Sequence, residues 1–203
     1  MPFTSPGDPG PAALTRQLPP PRVKVWDPVV RLFHWTVALG CIANLTVLRE
    51  VKPVHRYVGY VVLAAVAIRL VWGFVGSRHA RFADFVPGPG RLLGYLAALV
   101  RGREPRYLGH NPAGAVMMLV LMALVSVCGV TGWMMGLDAF WGERWLETLH
   151  ETAANVILVM AGAHVLAALV ESWRHRENLV AAMVTGFKRA PQGSDVSHAP
   201  AAD

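Results

Sequence analysis

His150 and His164 lie fourteen residues apart within one apolar stretch. At a helical rise of about 1.5 Å and a turn of about 100° per residue, that interval carries a side chain about 21 Å along the axis and leaves it about 40° short of its starting azimuth. One face of one helix then offers two imidazoles at two depths. Two more, His34 and His55, stand at the beginnings of two other apolar stretches. Imidazole is the usual axial ligand of a non-covalently held haem b, and two imidazoles fill both axial positions of its iron. An iron so filled does not readily bind oxygen or substrate, but it still passes electrons. Four such histidines point to two haem b groups.

The elements that must position them are membrane spans. The chain has 203 residues, of which 54% are hydrophobic and only 16% charged, too apolar a balance for an ordinary water-soluble domain. Four stretches, at about 29–49, 54–76, 112–136 and 148–172, reach the roughly 20 apolar residues that about 30 Å of hydrocarbon requires. The fold class that follows is an all-α integral membrane protein, a four-helix bundle enclosing two haem b groups over residues 25–189. Residues 1–24, rich in Pro and Gly and without the apolar core of a signal peptide, read as a disordered tail, as do residues 190–203. The net charge of +6 would suggest nucleic acid in a soluble protein, but here the basic residues flank the spans. They set orientation against membrane lipid, and no nucleic-acid partner is expected.

Those flanks are uneven. Arg16, Arg22, Lys24 and Arg31 precede or open the first span, Arg78, Arg81, Arg91, Arg101, Arg103 and Arg106 separate the second from the third, and Arg174, Arg176, Lys188 and Arg189 follow the fourth. The alternate side carries only Arg49, Lys52, Arg56 and Arg144. Positive residues favour the cytoplasmic side, so both termini are expected there. Chain direction then assigns depth: His34 and His164 lie toward the inside, His55 and His150 toward the outside. Each haem bridges two helices, His34 with His164 and His55 with His150.

Other features admit more than one reading. Taken singly, His34, His55 and His150 also suit interfacial positions, whereas a midspan His164 is hard to place without a function. Arg69, within the inner turns of the second span, needs either a haem propionate or a snorkelling path to lipid phosphate. By position at helix ends, Arg31, Lys52, Arg56 and Arg144 join it as candidate propionate partners. His79, His110 and His175 fall at inner helix ends or loops and His198 in the tail, where solvation or phosphate accounts for them; His110, before the Asn-Pro helix start, is also placed to shape an inner site. Cys41 and Cys128 read as packing residues, and no C-x-x-C-H haem-attachment motif occurs. Residues 91–101 form an arginine-flanked apolar segment too short to span, hence an interfacial helix. Asn111-Pro112 opens the third span as N-cap and first helical residue, and Gly129 and Gly132 within it permit close approach of a helix or a flat macrocycle. The outer loop with Trp133, Trp141, Trp145, Asp138, Glu143 and Glu147 reads as an aromatic belt or as a docking patch for a basic partner.

Val25-Trp26-Asp27-Pro28 with Arg31-Leu32-Phe33-His34-Trp35, His55-Arg56-Tyr57-Val58-Gly59, Gly109-His110-Asn111-Pro112, and Leu149-His150-Glu151 with His164 together resemble the bacterial cytochrome b561 family, which includes the b-type cytochrome subunits of nickel-iron hydrogenases. The resemblance covers roughly residues 23–189. It implies a four-helix membrane cytochrome with two haem b groups, His34, His55, His150 and His164 as axial ligands, and electron exchange with ubiquinone or menaquinone. Members with hydrogenase partners commonly have a longer chain and a larger extramembrane connection. The short loop at Glu50 to Val54 makes this chain look instead like a small stand-alone or cytochrome c-associated member.

The leading expectation is electron transfer across the bacterial inner membrane between a periplasmic c-type cytochrome or other redox protein and the quinone pool, with quinone oxidoreductase activity left open. A membrane-anchor cytochrome b subunit of a hydrogenase or dehydrogenase is the alternative within the same chemistry. A haem-free scaffold or transporter is the alternative outside it.

Overall fold

The computed structural model describes residues 21–197, so His198 and the first twenty residues of the expected N-terminal tail lie outside the described residues. Four long helices, α1 (Pro28–Leu45), α2 (Lys52–Val75), α5 (Pro112–Met134) and α6 (Arg144–Arg174), are each apolar and long enough to cross a membrane. Short elements join them at one end: β1 (Arg22–Lys24), α3 (Phe82–Phe85), α4 (Pro89–Val100), α7 (Leu179–Thr185) and β2 (Phe187–Arg189). Together these form a cap. At the opposite end only the turn 46–51 and the loop 135–143 connect the helices.

The helix ends follow local chemistry. Asp27 caps α1 by accepting from the Val30 N–H at 2.9 Å, with Pro28 in the first turn where no N–H is required. Its second carboxylate oxygen accepts from the Trp72 indole at 3.0 Å and from the Ser77 hydroxyl, tying the start of α1 to the end of α2. Asn111 caps α5 in the same way and sends its amide to Glu171 of α6 at 3.0 Å. The first span stops at Leu45, short of the expected residue 49. There the Thr46 hydroxyl and N–H both turn back onto the Ile42 carbonyl, which closes the last turn. Pro53 lies in the first turn of α2 and not in the loop. Helix α6 runs 31 residues, about 46 Å of axis against roughly 30 Å of hydrocarbon, and so projects past the apolar layer.

Close packing within the bundle runs α1 to α2, α2 to α5 and α5 to α6. At Gly40 a Cβ would stand 2.5 Å from Val62, so the missing side chain is what lets α1 meet α2. Val62, Val66, Met122, Val125 and Ile157 form the interhelical core. By contrast, Leu39, Val61, Phe74, Leu158, Val159 and Leu166 are exposed, as lipid-facing residues must be. Among the described residues, α6 is not close-packed on α1 or α2.

The cap corrects part of the sequence reading. Arg22–Lys24 is paired antiparallel with Phe187–Arg189, and the chain beyond residue 190 returns to the protein: Val196 donates to the Arg106 carbonyl and accepts from Leu108 N–H. Ordering comes from Arg106, whose guanidinium is buried against Glu177 at 2.7 Å and Asp195 at 2.5 Å. Lys188 is buried beside them, 2.9 Å from the carbonyls of Tyr107 and Leu108. The interfacial helix appears as α4, whose Tyr95 hydroxyl reaches Glu171 at 2.8 Å.

His110 sits between the rings of Trp26 and Phe85, with centroids 4.8 and 4.9 Å away. Burial, reinforced by the charges of Arg69 and Lys188, pushes its pKa down to about 3. The folded chain thus refuses a proton that the unfolded chain accepts below about pH 6.5, and stability falls as pH drops from about 6.5 toward 3. Lowering the pH from 7 to 5 is expected to lower the melting temperature, and His110→Gln to flatten that slope; an unchanged slope in the variant would refute the assignment. Replacing Arg106 by Met leaves the half-buried carboxylates of Glu177 and Asp195 short of a partner, a loss of about 3 kcal/mol. Trypsin should then cut at Lys188 and Arg189, which the intact cap shields, and cleavage no faster than in the parent chain would count against this role.

Candidate haem sites

The four histidines converge in two pairs. Near the cap, His34 of α1 and His164 of α6 have ring centroids 6.4 Å apart with planes inclined at 51°. Near the loop end, His55 of α2 and His150 of α6 stand 6.2 Å apart at 57°. These are the pairs that depth assigns from the sequence. With a metal–imidazole bond of about 2 Å and a ring nitrogen about 1 Å from its centroid, two trans ligands of one metal ion hold their centroids about 6 Å apart.

The surroundings fit the same group. The Nδ1 atoms of His34 and His55 are buried without a partner, a costly state for a polar atom in an apolar layer unless something else occupies the gap. The helix that carries the opposing imidazoles, α6, is not among the close-packed neighbours of α1 or α2. Around His34 the Trp35 ring packs edge-on at 5.2 Å, with its indole N–H 3.3 Å from the Met183 carbonyl of α7.

His150 is held differently. Its Nδ1 lies 2.9 Å from the Cys128 carbonyl and 3.1 Å from the Thr131 hydroxyl, both on α5. Gly132 allows this approach, since a Cβ there would lie 3.2 Å from the ring. Gly129 serves helix contact instead, against Leu63 of α2. Thr131 and the Cys128 carbonyl escaped the sequence reading, because a threonine inside an apolar span ordinarily satisfies itself on its own helix. The available signal was its place beside Gly132.

The basic residues divide by end. Arg69 is 1% exposed, which removes the snorkelling path. One guanidinium nitrogen donates to the Ala80 carbonyl at 2.9 Å, the group lies 5.2 Å from the Phe82 ring centroid, and its Nη1 is buried with no partner. Arg31 donates to the Val184 carbonyl and likewise keeps a buried, unpartnered Nε. Both lie toward the cap and present a donor suited to a carboxylate. Arg56 lies at the loop end near Gly136, while Lys52 and Arg144 are exposed at the starts of their helices. The exposed Trp141 and Trp145 stand on the same side.

Residues 25–186 match the family model described as prokaryotic cytochrome b561. A probable Ni/Fe-hydrogenase B-type cytochrome subunit of Rhizobium leguminosarum bv. viciae is 24% identical, the match covering 87% of this chain and 91% of that protein. Proteins described in the same words are 24% identical in Rhodobacter capsulatus, over 82% of this chain and 81% of the relative, and 26% in Cupriavidus necator, over 81% and 86%. No solved structure matches significantly. The first of these matches runs over 224 residues, more than the whole 203-residue chain, so the relatives are the longer proteins, as expected of members with hydrogenase partners. A match over residues 25–186, which take in all four apolar helices, places the chain in the prokaryotic cytochrome b561 family, as a multi-pass membrane b-type cytochrome of electron transport.

Proposed function

We propose that this chain is the membrane-anchoring dihaem cytochrome b subunit of a hydrogenase-type redox complex, passing electrons between a partner at the loop end and quinone in the membrane. The observation that carries the dihaem reading is the pair of six-ångström histidine contacts stacked along one helix. The anchor role takes precedence over the stand-alone carrier expected from the short loop, because the relatives named as hydrogenase cytochrome subunits align over most of their length.

His34 and His164 would hold one haem b, His55 and His150 the other; when bound, each supplies a one-electron site. The chain's own residues account for the rest. The imidazoles of His34, His164, His55 and His150 would hold the two irons and so would keep oxygen from them. The unpartnered nitrogens of Arg69 and Arg31 would neutralise propionates toward the cap, with Arg56 placed for the same task at the other end. Val62, Val66, Met122 and Ile157 keep water from the middle of the bundle. The cap carries the arginine-rich connections, which favours, in the bacterial inner membrane, both termini with the cap on the cytoplasmic side and the loop end on the periplasmic side. There the exposed Trp141 and Trp145 adjoin the acidic Asp138, Glu143 and Glu147, a surface open to a docked partner.

Detergent-purified protein is expected to give a reducible b-type spectrum with two haems per chain; one haem or none refutes the dihaem reading. His164→Ala should remove the haem near the cap and largely spare the other. If His34→Ala and His164→Ala each retained two normal haems, the pairing would be wrong. Coexpression with the subunits of a nickel-iron hydrogenase from the same cell should yield a complex that survives purification, and a cytochrome that always purifies alone would restore the stand-alone reading.

A further inference from the structure

The four histidines are not equivalent in what stands behind them. His34 and His55 have buried Nδ1 atoms without partners. At His150 the same atom is bracketed by the Cys128 carbonyl at 2.9 Å and the Thr131 oxygen at 3.1 Å. A carbonyl has no proton to give, so Nδ1 carries the ring proton and the lone pair is on Nε2, with the Cys128 thiol 3.6 and 3.7 Å from the two ring nitrogens. The single proton of the Thr131 hydroxyl is directed to helix carbonyls, Val127 at 2.8 Å and Cys128 at 3.1 Å, which leaves its oxygen facing Nδ1 as a second acceptor. Thr131 is only 4% exposed. Back-bonding to its own helix explains the Val127 contact, but not the ring nitrogen 3.1 Å away, nor the adjoining glycine whose Cβ would press on that ring.

We infer that Thr131, acting with the Cys128 carbonyl, is a positioning residue that fixes His150 with Nε2 free for iron and makes it the stronger donor of its pair. Hydrogen bonding at Nδ1 leaves more electron density on Nε2, and a more basic axial ligand stabilises ferric over ferrous iron. The haem at the loop end is thereby held more oxidised than His150 alone would hold it. This inference rests on the reading of His150 as an axial ligand. It would make the two haems electronically distinct through a residue that acts by way of the His150 ring.

The test is a mediated redox titration of the purified cytochrome, followed optically and by the low-spin ferric resonances, with Thr131→Val, Thr131→Ser and Gly132→Ala. In Thr131→Val the reduced-to-oxidised ratio of the loop-end haem at fixed ambient potential should rise several-fold, a tenfold rise being about 59 mV for one electron, while the other haem titrates unchanged. Thr131→Ser, which keeps the acceptor, should titrate as the parent. Gly132→Ala should shift the same haem in the same direction by crowding the ring off its carbonyl. Loss of the loop-end haem in Thr131→Val with retention in Thr131→Ser would equally support the positioning role. Two normal haems that ignore Thr131→Val, or a Thr131→Ser variant that behaves like Thr131→Val, would overturn it. A parent protein lacking two haems would instead overturn the ligand assignment, a result visible before any variant is made.

Discussion

Hydrocarbon offers no hydrogen-bond partner, and the whole design of this cytochrome follows from that lack. Backbone groups meet the demand by coiling into four helices. Side chains meet it less completely, and the shortfall is informative. The buried, unpartnered nitrogens of His34, His55, Arg69 and Arg31 fall at the histidine pairs or toward the cap, where an iron or a propionate would complete them. Elsewhere in the spans Ser126 turns back on Met122 and Thr148 on Arg144, whereas Asn44 donates to the His55 carbonyl of α2 and keeps a buried, unpartnered Oδ1.

The cap answers the same constraint from the wet side. Asp27, Asn111 and Glu171 each join two or more elements, and Arg106 with Glu177, Asp195 and Lys188 pins the chain beyond α7 beneath the bundle. Buried ion pairs are a weak source of stability compared with apolar packing, but breaking one is costly. Such a network fixes geometry more than it adds energy. Here the geometry fixed is that of the ends of α1, α2 and α6 around His34, His164 and Arg69.

Most of the architecture was legible in the chain. Span length and apolarity located all four helices, and the direction of travel matched His34 with His164 and His55 with His150 before any coordinate. Pro112 after Asn111 marked the start of α5 to the residue. The misreadings share a physical cause: they concern partners distant in sequence. Nothing local in residues 190–197 announces that Asp195 will meet Arg106, and nothing in Arg69 reveals that Ala80 and Phe82 fold back over it. A polar tail and a lone arginine look solvated until the tertiary fold supplies their counterparts. Thr131 was hidden in the same way, its acceptor role depending on a ring from another helix.

Helix α6 supplies one histidine to each pair and is close-packed on α5 within the bundle. Its sequence between His150 and His164 is thereby a ruler whose length is not negotiable. One residue inserted there turns one imidazole by about 100° relative to the other, and a four-residue insertion restores the face but displaces one partner by about 6 Å along the axis. The connections at 46–51 and 135–143 face no such restriction. Substitutions that keep the thirteen intervening positions helical are compatible with the site, whereas changes in their number are not, so relatives of this chain should vary freely in loop length and keep this one interval in register.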